Sequence, residues 1–352
     1  MDDIISDRGE FRLLKELILP RLSQVSVPGG LGDDCAVMPL PGGTYDLVVT
    51  SDGTPTPAIF YLGLEDYSAF GWLSVVVNAS DLASAGATPL LFISSVEASP
   101  EMRVTRIDEF FTGMAEACSE FKLSNAGGNF KSGGKLACHG CAVGLVPHGH
   151  AIGRTGCQPG DYIVAIGALG EFICAFLRAR SRGTDSLCQK ELQCLLHPVP
   201  QIDAMLILAQ AGLVSAASDN SDGILGALQN ISERSECGIV VDMTTLLPPD
   251  LITIAKEFGY DPWNLALCWG DWQVICSIKA DLWEKFVDIC QKNKIWFWKL
   301  GRASELSEGL YGKTAEGLRP LRVLRNENFV SASYGLDFNE HLKKLLETPI
   351  LV

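Results

Sequence analysis

Six aspartates, Asp33, Asp34, Asp52, Asp81, Asp219 and Asp222, each stand among small or apolar residues rather than beside lysines. A carboxylate pair such as Asp33 and Asp34 in LGDDCAV loses hydration and repels itself on burial, so it must face water or share a cation. Oxygen-only ligands drawn from several segments suit Mg²⁺, which keeps part of its water and bridges carboxylates to phosphate oxygens. That chemistry points to a nucleoside triphosphate. Phosphoryl transfer needs no covalent nucleophile, because positioning and charge neutralisation do most of the catalysis.

Each acid also has a plainer reading. Asp33 and Asp34 fit a turn, Asp52 fits a turn cap, and Ser221 or Asp222 fits a cap on the helix that follows. Asp81 resists such a reading, because the apolar helix around it, with Val75, Val76, Val77 and Leu82, has little reason to hold an unpaired charge. Asn129 and Lys131 in GGNFKSGG could cradle an anion, since glycines bring backbone N–H groups close and a lysine supplies charge. The spacing is not that of a Walker loop. CHGC (Cys138 to Cys141) has zinc-like spacing, but on a strand residues three apart face opposite ways and cannot share an ion. His148 and His150 read as solvated linker residues, and GALGEF lacks the full glycine pattern of a dinucleotide loop.

The elements that must position these residues follow from periodicity. EFRLLKELILPRL predicts a helix with Phe11, Leu14, Leu17 and Ile18 on one face, limited or kinked by Pro20. YDLVVTSD reads as a strand ending on Asp52, and the Pro-rich GTPTPAIF as irregular. A buried helix runs from Asp66 to near Gly86, and an amphipathic one over MRVTRIDEFFTGMAEACSEF. The Gly-rich NAGGNFKSGGK reads as a loop before the strand KLACHGCAVGLVP. YIVAIGALGEFICAFL reads as strand, turn and helix, and SDNSDG as a turn between the helices PQIDAMLILAQAG and ILGALQNISERS. Two mixed α/β domains are expected, residues 1–150 and 151–352, with the boundary in PHGHAIG near His150.

Composition narrows the class. The 352 residues are 47% hydrophobic, enough for a large core, and the formal charge of −14 argues against nucleic acid or an anionic membrane as partner. Twelve cysteines scattered through a core-rich chain that begins MDDIISDRGE, which is no signal peptide, predict a reduced, cytoplasmic protein. The most apolar stretch, Tyr162 to Leu177, is too short to span a bilayer and carries Glu171.

Taken in order, GEFRLL, GDDCAV, TSD, NASDLASAGATP, GGN, GRTGCQPGDYIVAIGALG and SDNSDGIL resemble the motifs of thiamine-monophosphate kinase. That family belongs to the superfamily of aminoimidazole ribonucleotide synthetase, selenophosphate synthetase and the nitrile-forming hydrogenase-maturation protein. The resemblance implies a two-domain α/β (α+β) aminoimidazole ribonucleotide synthetase-like fold, a homodimer whose N-terminal sheets form a barrel, and bound ATP and Mg²⁺. It implies Asp33, Asp34, Asp52, Asp81 and Asp222 as metal ligands; Gly127, Gly128, Asn129, Asp52 and Ser221 around the nucleotide; and Asp219 and Asp222 in catalysis, where Lys131 of the anion cradle is expected to join them. It also exposes departures. Asn129 stands where these kinases carry aspartate, CWGDWQ keeps Asp271 but loses two glutamates, Ile59 replaces a histidine, and His197 and Gln201 stand where arginines are expected. An arginine clamp on phosphate is poorly replaced by such residues, so the expected acceptor is a small molecule other than thiamine monophosphate. Activation of an amide or carboxylate oxygen, and nucleotide binding without catalysis, stay open as alternatives.

Overall fold

The computed structural model describes residues 4–23 and 31–352. A five-stranded sheet, ordered β1-β2-β5-β3-β4, is built from β1 (Ala36–Pro39), β2 (Tyr45–Gly53), β3 (Thr88–Ala98), β4 (Ser124–Ser132) and β5 (Ala137–Pro147). A seven-stranded sheet, ordered β12-β11-β8-β10-β6-β9-β7, uses β6 (Tyr162–Ile166), β7 (Val214–Asp219), β8 (Gly238–Asp242), β9 (Val274–Ile278), β10 (Phe297–Ser304), β11 (Gly309–Thr314) and β12 (Gly317–Pro320). Both are mixed. The pair β3 and β4 runs parallel in the first, β11 and β8 in the second, and the other neighbours are antiparallel.

The helix Tyr67–Ser84 joins the two layers. It starts where Asp66 Oδ1 accepts the Ala69 N–H at 2.9 Å, and it is buried nearly all round because sheets and helices cover every side. Gly71 and the helix Val104–Glu120 explain how closely the neighbour approaches. A Cβ on Gly71 would fall 1.8 Å from the Phe110 carbonyl oxygen, so only glycine permits this crossing. The indole N–H of Trp72 donates to the Pro198 carbonyl at 2.8 Å, and Ile152 N–H to the Ala85 carbonyl at 3.1 Å, tying the long helix to the second half of the chain.

β6 shows why its sequence has no polar alternation. Ile163 and Ala165 enter one core with Phe172, Ile224 and Leu265, whereas Val164 and Ile166 enter another with Val76, Met205 and Val274. A strand covered on both faces needs apolar residues throughout.

Two expectations are corrected. NAGGNFKSGGK is mostly the edge strand β4 rather than a loop. Gly128 serves backbone pairing: a Cβ on it would sit 1.8 Å from the Ser94 carbonyl oxygen, opposite an irregularity of β3 between Phe92 and Ser94. The first helix forms as Gly9–Leu13, a π-turn Leu14–Ile18 and Leu19–Leu22, but Leu17 and Ile18 remain exposed instead of entering a core. The wide turn accommodates Pro20, which has no N–H to donate.

Candidate active site

Three carboxylates from three distant segments converge. Asp34 lies in the turn before β1, Asp81 in the last turn of Tyr67–Ser84, and Asp219 at the end of β7; one oxygen of each lies within 4.8 Å of the other two. Asp81 is held by the Thr50 hydroxyl of β2, which donates to its Oδ2 at 2.5 Å. Asp34 Oδ2 accepts the Ser84 hydroxyl at 2.9 Å and the Asp219 N–H at 3.3 Å. Asp219 Oδ1 accepts the Ser221 hydroxyl at 3.2 Å, and its buried Oδ2 has no partner among the described residues.

Burial pushes the Asp81 and Asp219 carboxyls well above the usual range, and the neighbouring carboxylates push further: Asp219, Asp52 and Asp34 act on Asp81, Asp34 and Asp52 on Asp219. Such a cluster is expensive as three anions and becomes favourable around a cation. The donor set is all oxygen, as Mg²⁺ prefers, and the orphaned Asp219 Oδ2 is an unused ligand atom, so the residues fit a divalent ion.

Asp52 and Asp222 stand nearby, at the wall of a cavity of about 550 Å³. Burial lifts Asp52 to about 6, with the Asp34 and Glu10 charges adding to it. Asp222 also rises to about 6, by burial and then Glu10, against the opposing hydrogen bond of Asn326. The helix Ile224–Ser235 takes no side-chain cap, so Asp222 is not its cap residue.

Asp33 is not part of the trio. Its Oδ1 accepts the Arg154 backbone N–H at 2.7 Å, and it rests on Gly153, where a Cβ would meet Oδ2 at 2.7 Å. The expectation that the acids lack protein cations is corrected by Arg154, whose Nε donates to Asp34 Oδ1 at 2.9 Å and whose second guanidinium nitrogen contacts the same oxygen. Arg154 lies 120 residues from Asp34 along the chain, so no local pattern pairs them. The available signal was a lone charge between Gly153 and Gly156, the same isolation that singled out the aspartates.

The Gly-rich segment lies elsewhere in the chain. Asp52 pairs with Gly140, Gly140 with Ser94 and Ser94 with Gly128, a row across four strands. Strands are ~4.8 Å apart, which sets Gly128 roughly 14 Å from Asp52. Gly127, Gly128 and Asn129 are exposed, and Lys131 Nζ is paired with Glu97 at 2.8 Å. None of the four lines the cavity. Asp271 accepts the Gly170 and Phe172 N–H groups at 2.5 and 2.6 Å, holding the start of the helix Glu171–Arg182. CHGC falls on β5 with Cys138 buried and His139 exposed. His197 packs its ring on Trp72, and Gln201 lies against Gly167; neither lines the cavity.

Comparison with known proteins identifies the fold and the family. Residues 32–146 match the AIR synthase related protein N-terminal domain, and residues 158–310 the C-terminal domain. A thiamine-monophosphate kinase of Methanospirillum hungatei is 31% identical over 227 residues, 64% of this chain and 74% of the relative. One from Aquifex aeolicus is 26% identical over 326 residues, 89% of this chain and 97% of the relative. The solved structure of AaThiL complexed with AMPPCP and TMP superposes with a TM-score of 0.75 at 24% identity, covering 89% of this chain and 96% of that one. Hydrogenase maturation protein HypE in complex with ATP shares the fold, with a TM-score of 0.65 at 18% identity over 91% of this chain and 98% of that one. With both domain matches in register along the chain, and a kinase relative above 30% identity, the protein belongs to the AIR synthase related family as a thiamine-monophosphate kinase-like member.

Proposed function

We propose that the chain is an ATP- and Mg²⁺-dependent phosphotransferase that moves the γ-phosphoryl group onto a hydroxyl of a small molecule. The convergence of Asp34, Asp81 and Asp219 around an unpartnered buried oxygen carries this reading. Asp34, Asp81 and Asp219 would hold a divalent ion, with Asp52 and Asp222 facing the same space from the cavity wall. When bound, the ion neutralises triphosphate charge.

The acceptor oxygen attacks the γ-phosphorus while the bond to the β,γ-bridging oxygen breaks; ADP leaves with that electron pair. The hydroxyl proton passes to a cleft carboxylate, for which Asp222 is the candidate because it lines the cavity. Arg154 orients Asp34 and limits its repulsion from Asp81 and Asp219 before the ion arrives.

In this reading residues 1–150 supply most of the metal site and residues 151–352 the wall facing the acceptor. A homodimer is part of the proposal. The outward face of the first sheet carries Val49, Val143 and Leu91 in one row and Ile93 beside Cys141 in the next, none of them buried. A contiguous apolar sheet face of this kind calls for a partner, and a second copy of the face would cover it.

The experiment is thermal denaturation with Mg²⁺ and AMPPCP, followed by ADP release with candidate alcohols. A ligand at 100 times its dissociation constant stabilises by about 2.7 kcal/mol. No shift at saturating Mg²⁺ and AMPPCP would sink the proposal.

A further inference from the structure

The cavity beside the carboxylates has an unusual lining for a site that would take a phosphate ester. Its walls include Phe70, Phe172, Trp269, Trp272 and Tyr334. Among its described lining residues Lys135 is the single cation, set against Glu10, Asp52 and Asp222. Two guanidinium groups act on the wall's carboxylates from behind without lining the cavity: Arg154, paired with Asp34, and Arg325, over the Phe11 ring at 3.3 Å and beside Asp222.

Trp272 adds a second kind of evidence. Its φ of 50° is left-handed, a conformation that a bulky aromatic residue rarely adopts, and it follows Gly270 at φ 113°. Backbone held in this state concentrates at functional positions; here it sets the indole in the cavity wall. Asn220 supplies the polar feature. It is 1% exposed and lines the cavity, its Nδ2 donates to the Gln273 Oε1 at 2.5 Å and the Cys268 carbonyl at 3.2 Å, and its Oδ1 has no partner among the described residues. An acceptor oxygen left unpaired favours a ligand that brings an O–H or N–H donor.

Resting on the phosphotransferase reading above, we propose that the acceptor is a flat, uncharged or cationic alcohol that carries no phosphate, held between the aromatic walls with its hydroxyl toward Asp52 and Asp222. Aromatic faces attract flat rings and cations. A phosphate dianion entering the same space meets Glu10, Asp52 and Asp222 and no arginine fork, so only Lys135 and the metal ion would offset its charge, whereas an alcohol without phosphate needs no such compensation.

Thiamine and thiamine monophosphate form a matched pair of probes, both with planar rings and a thiazolium cation, differing only in the phosphate, which cancels or outweighs that charge. Calorimetric titration of the full chain with each, with and without Mg²⁺ and AMPPCP, is expected to show thiamine binding at least about tenfold tighter, a difference of about 1.4 kcal/mol. AMPPCP and thiamine are expected to bind together. Tighter binding of the monophosphate, or binding of neither probe, overturns the proposal. So does displacement of thiamine by AMPPCP, which would put the nucleotide base in the cavity. Thiamine binding without any response to Mg²⁺ and AMPPCP would instead support the cavity's charge preference and overturn the phosphotransferase reading. Thr56→Arg, which adds a cation to the wall, is expected to reverse the order of the two probes; an unchanged order overturns the role given to charge.

Discussion

Arg154 and Asp34 form an ion pair across the junction of the two halves of the chain, with Nε 2.9 Å from Oδ1 and the Asp34 carboxylate only 5% exposed. The pair joins the segment leading into the second sheet to the turn that opens the first. One arginine therefore both compensates the acidic cluster and locks the lobes together.

Arg154→Ala leaves Asp34 buried without its cation, and breaking a buried pair in this way costs about 3–5 kcal/mol. Urea denaturation in the presence of a chelator should show that loss, and Mg²⁺ should restore part of it by taking over charge compensation. A variant as stable as the parent would remove Arg154 from this role.

Asp81→Asn removes one ligand oxygen's charge from a site where that charge is unfavourable without metal. The metal-free protein should be as stable as the parent or more so, while affinity for Mg²⁺ with AMPPCP falls at least about tenfold, the order expected for losing a close attraction to the ion. Equal nucleotide affinity in the two proteins would exclude Asp81 from the ion site.

The pH dependence has a definite sign. Asp52, Asp222 and Asp271 are each raised to about 6 by burial, so the folded chain binds more protons than the unfolded chain between the ordinary carboxylate range and about 6. Their contribution to stability is complete below the unfolded value of 3.8 and is lost as pH rises through about 6. In chelator, the denaturation midpoint should fall between pH 5 and about 7. Mg²⁺ should reverse that slope by favouring the ionised cluster; the same slope with and without Mg²⁺ would argue against ion binding.

Val143→Glu sets a charge in the middle of the outward sheet face, between Val49 and Leu91. Light scattering should show the homodimer shifted to monomer, with the monomer still folded because the side chain points away from the core. A parent chain that is monomeric at working concentration would remove the dimer from the proposal.

Lys131→Ala removes an exposed ion pair with Glu97, and such pairs are worth about 0–1 kcal/mol. Stability and nucleotide affinity should both stay near the parent values. A large loss of nucleotide affinity would return Lys131 to the phosphate site.

The sequence by itself determined most of the elements and singled out the acids as a group, but not their roles: Asp219, expected in catalysis, is the third member of the converging trio. Asp66 before an apolar run marked the start of Tyr67–Ser84, and YIVAIGALGEFICAFL resolved into β6 and the helix Glu171–Arg182, because caps and periodicity act within a few residues. Asp81 was legible for the same local reason, as a charge in an apolar helix. Which acids meet was decided only by tertiary structure. Asp33 and Asp34 are adjacent, yet only Asp34 reaches Asp81 and Asp219, while Asp33 turns to the Arg154 backbone. Asn129 and Lys131 fit an anion cradle by composition, but pairing of β4 with β3 uses Gly128 for close backbone approach to Ser94. Arg154 was invisible as a partner because it is 120 residues from Asp34 along the chain. Electrostatic compensation depends on distance in space, and that distance exists only once the two sheets have packed on the helix between them.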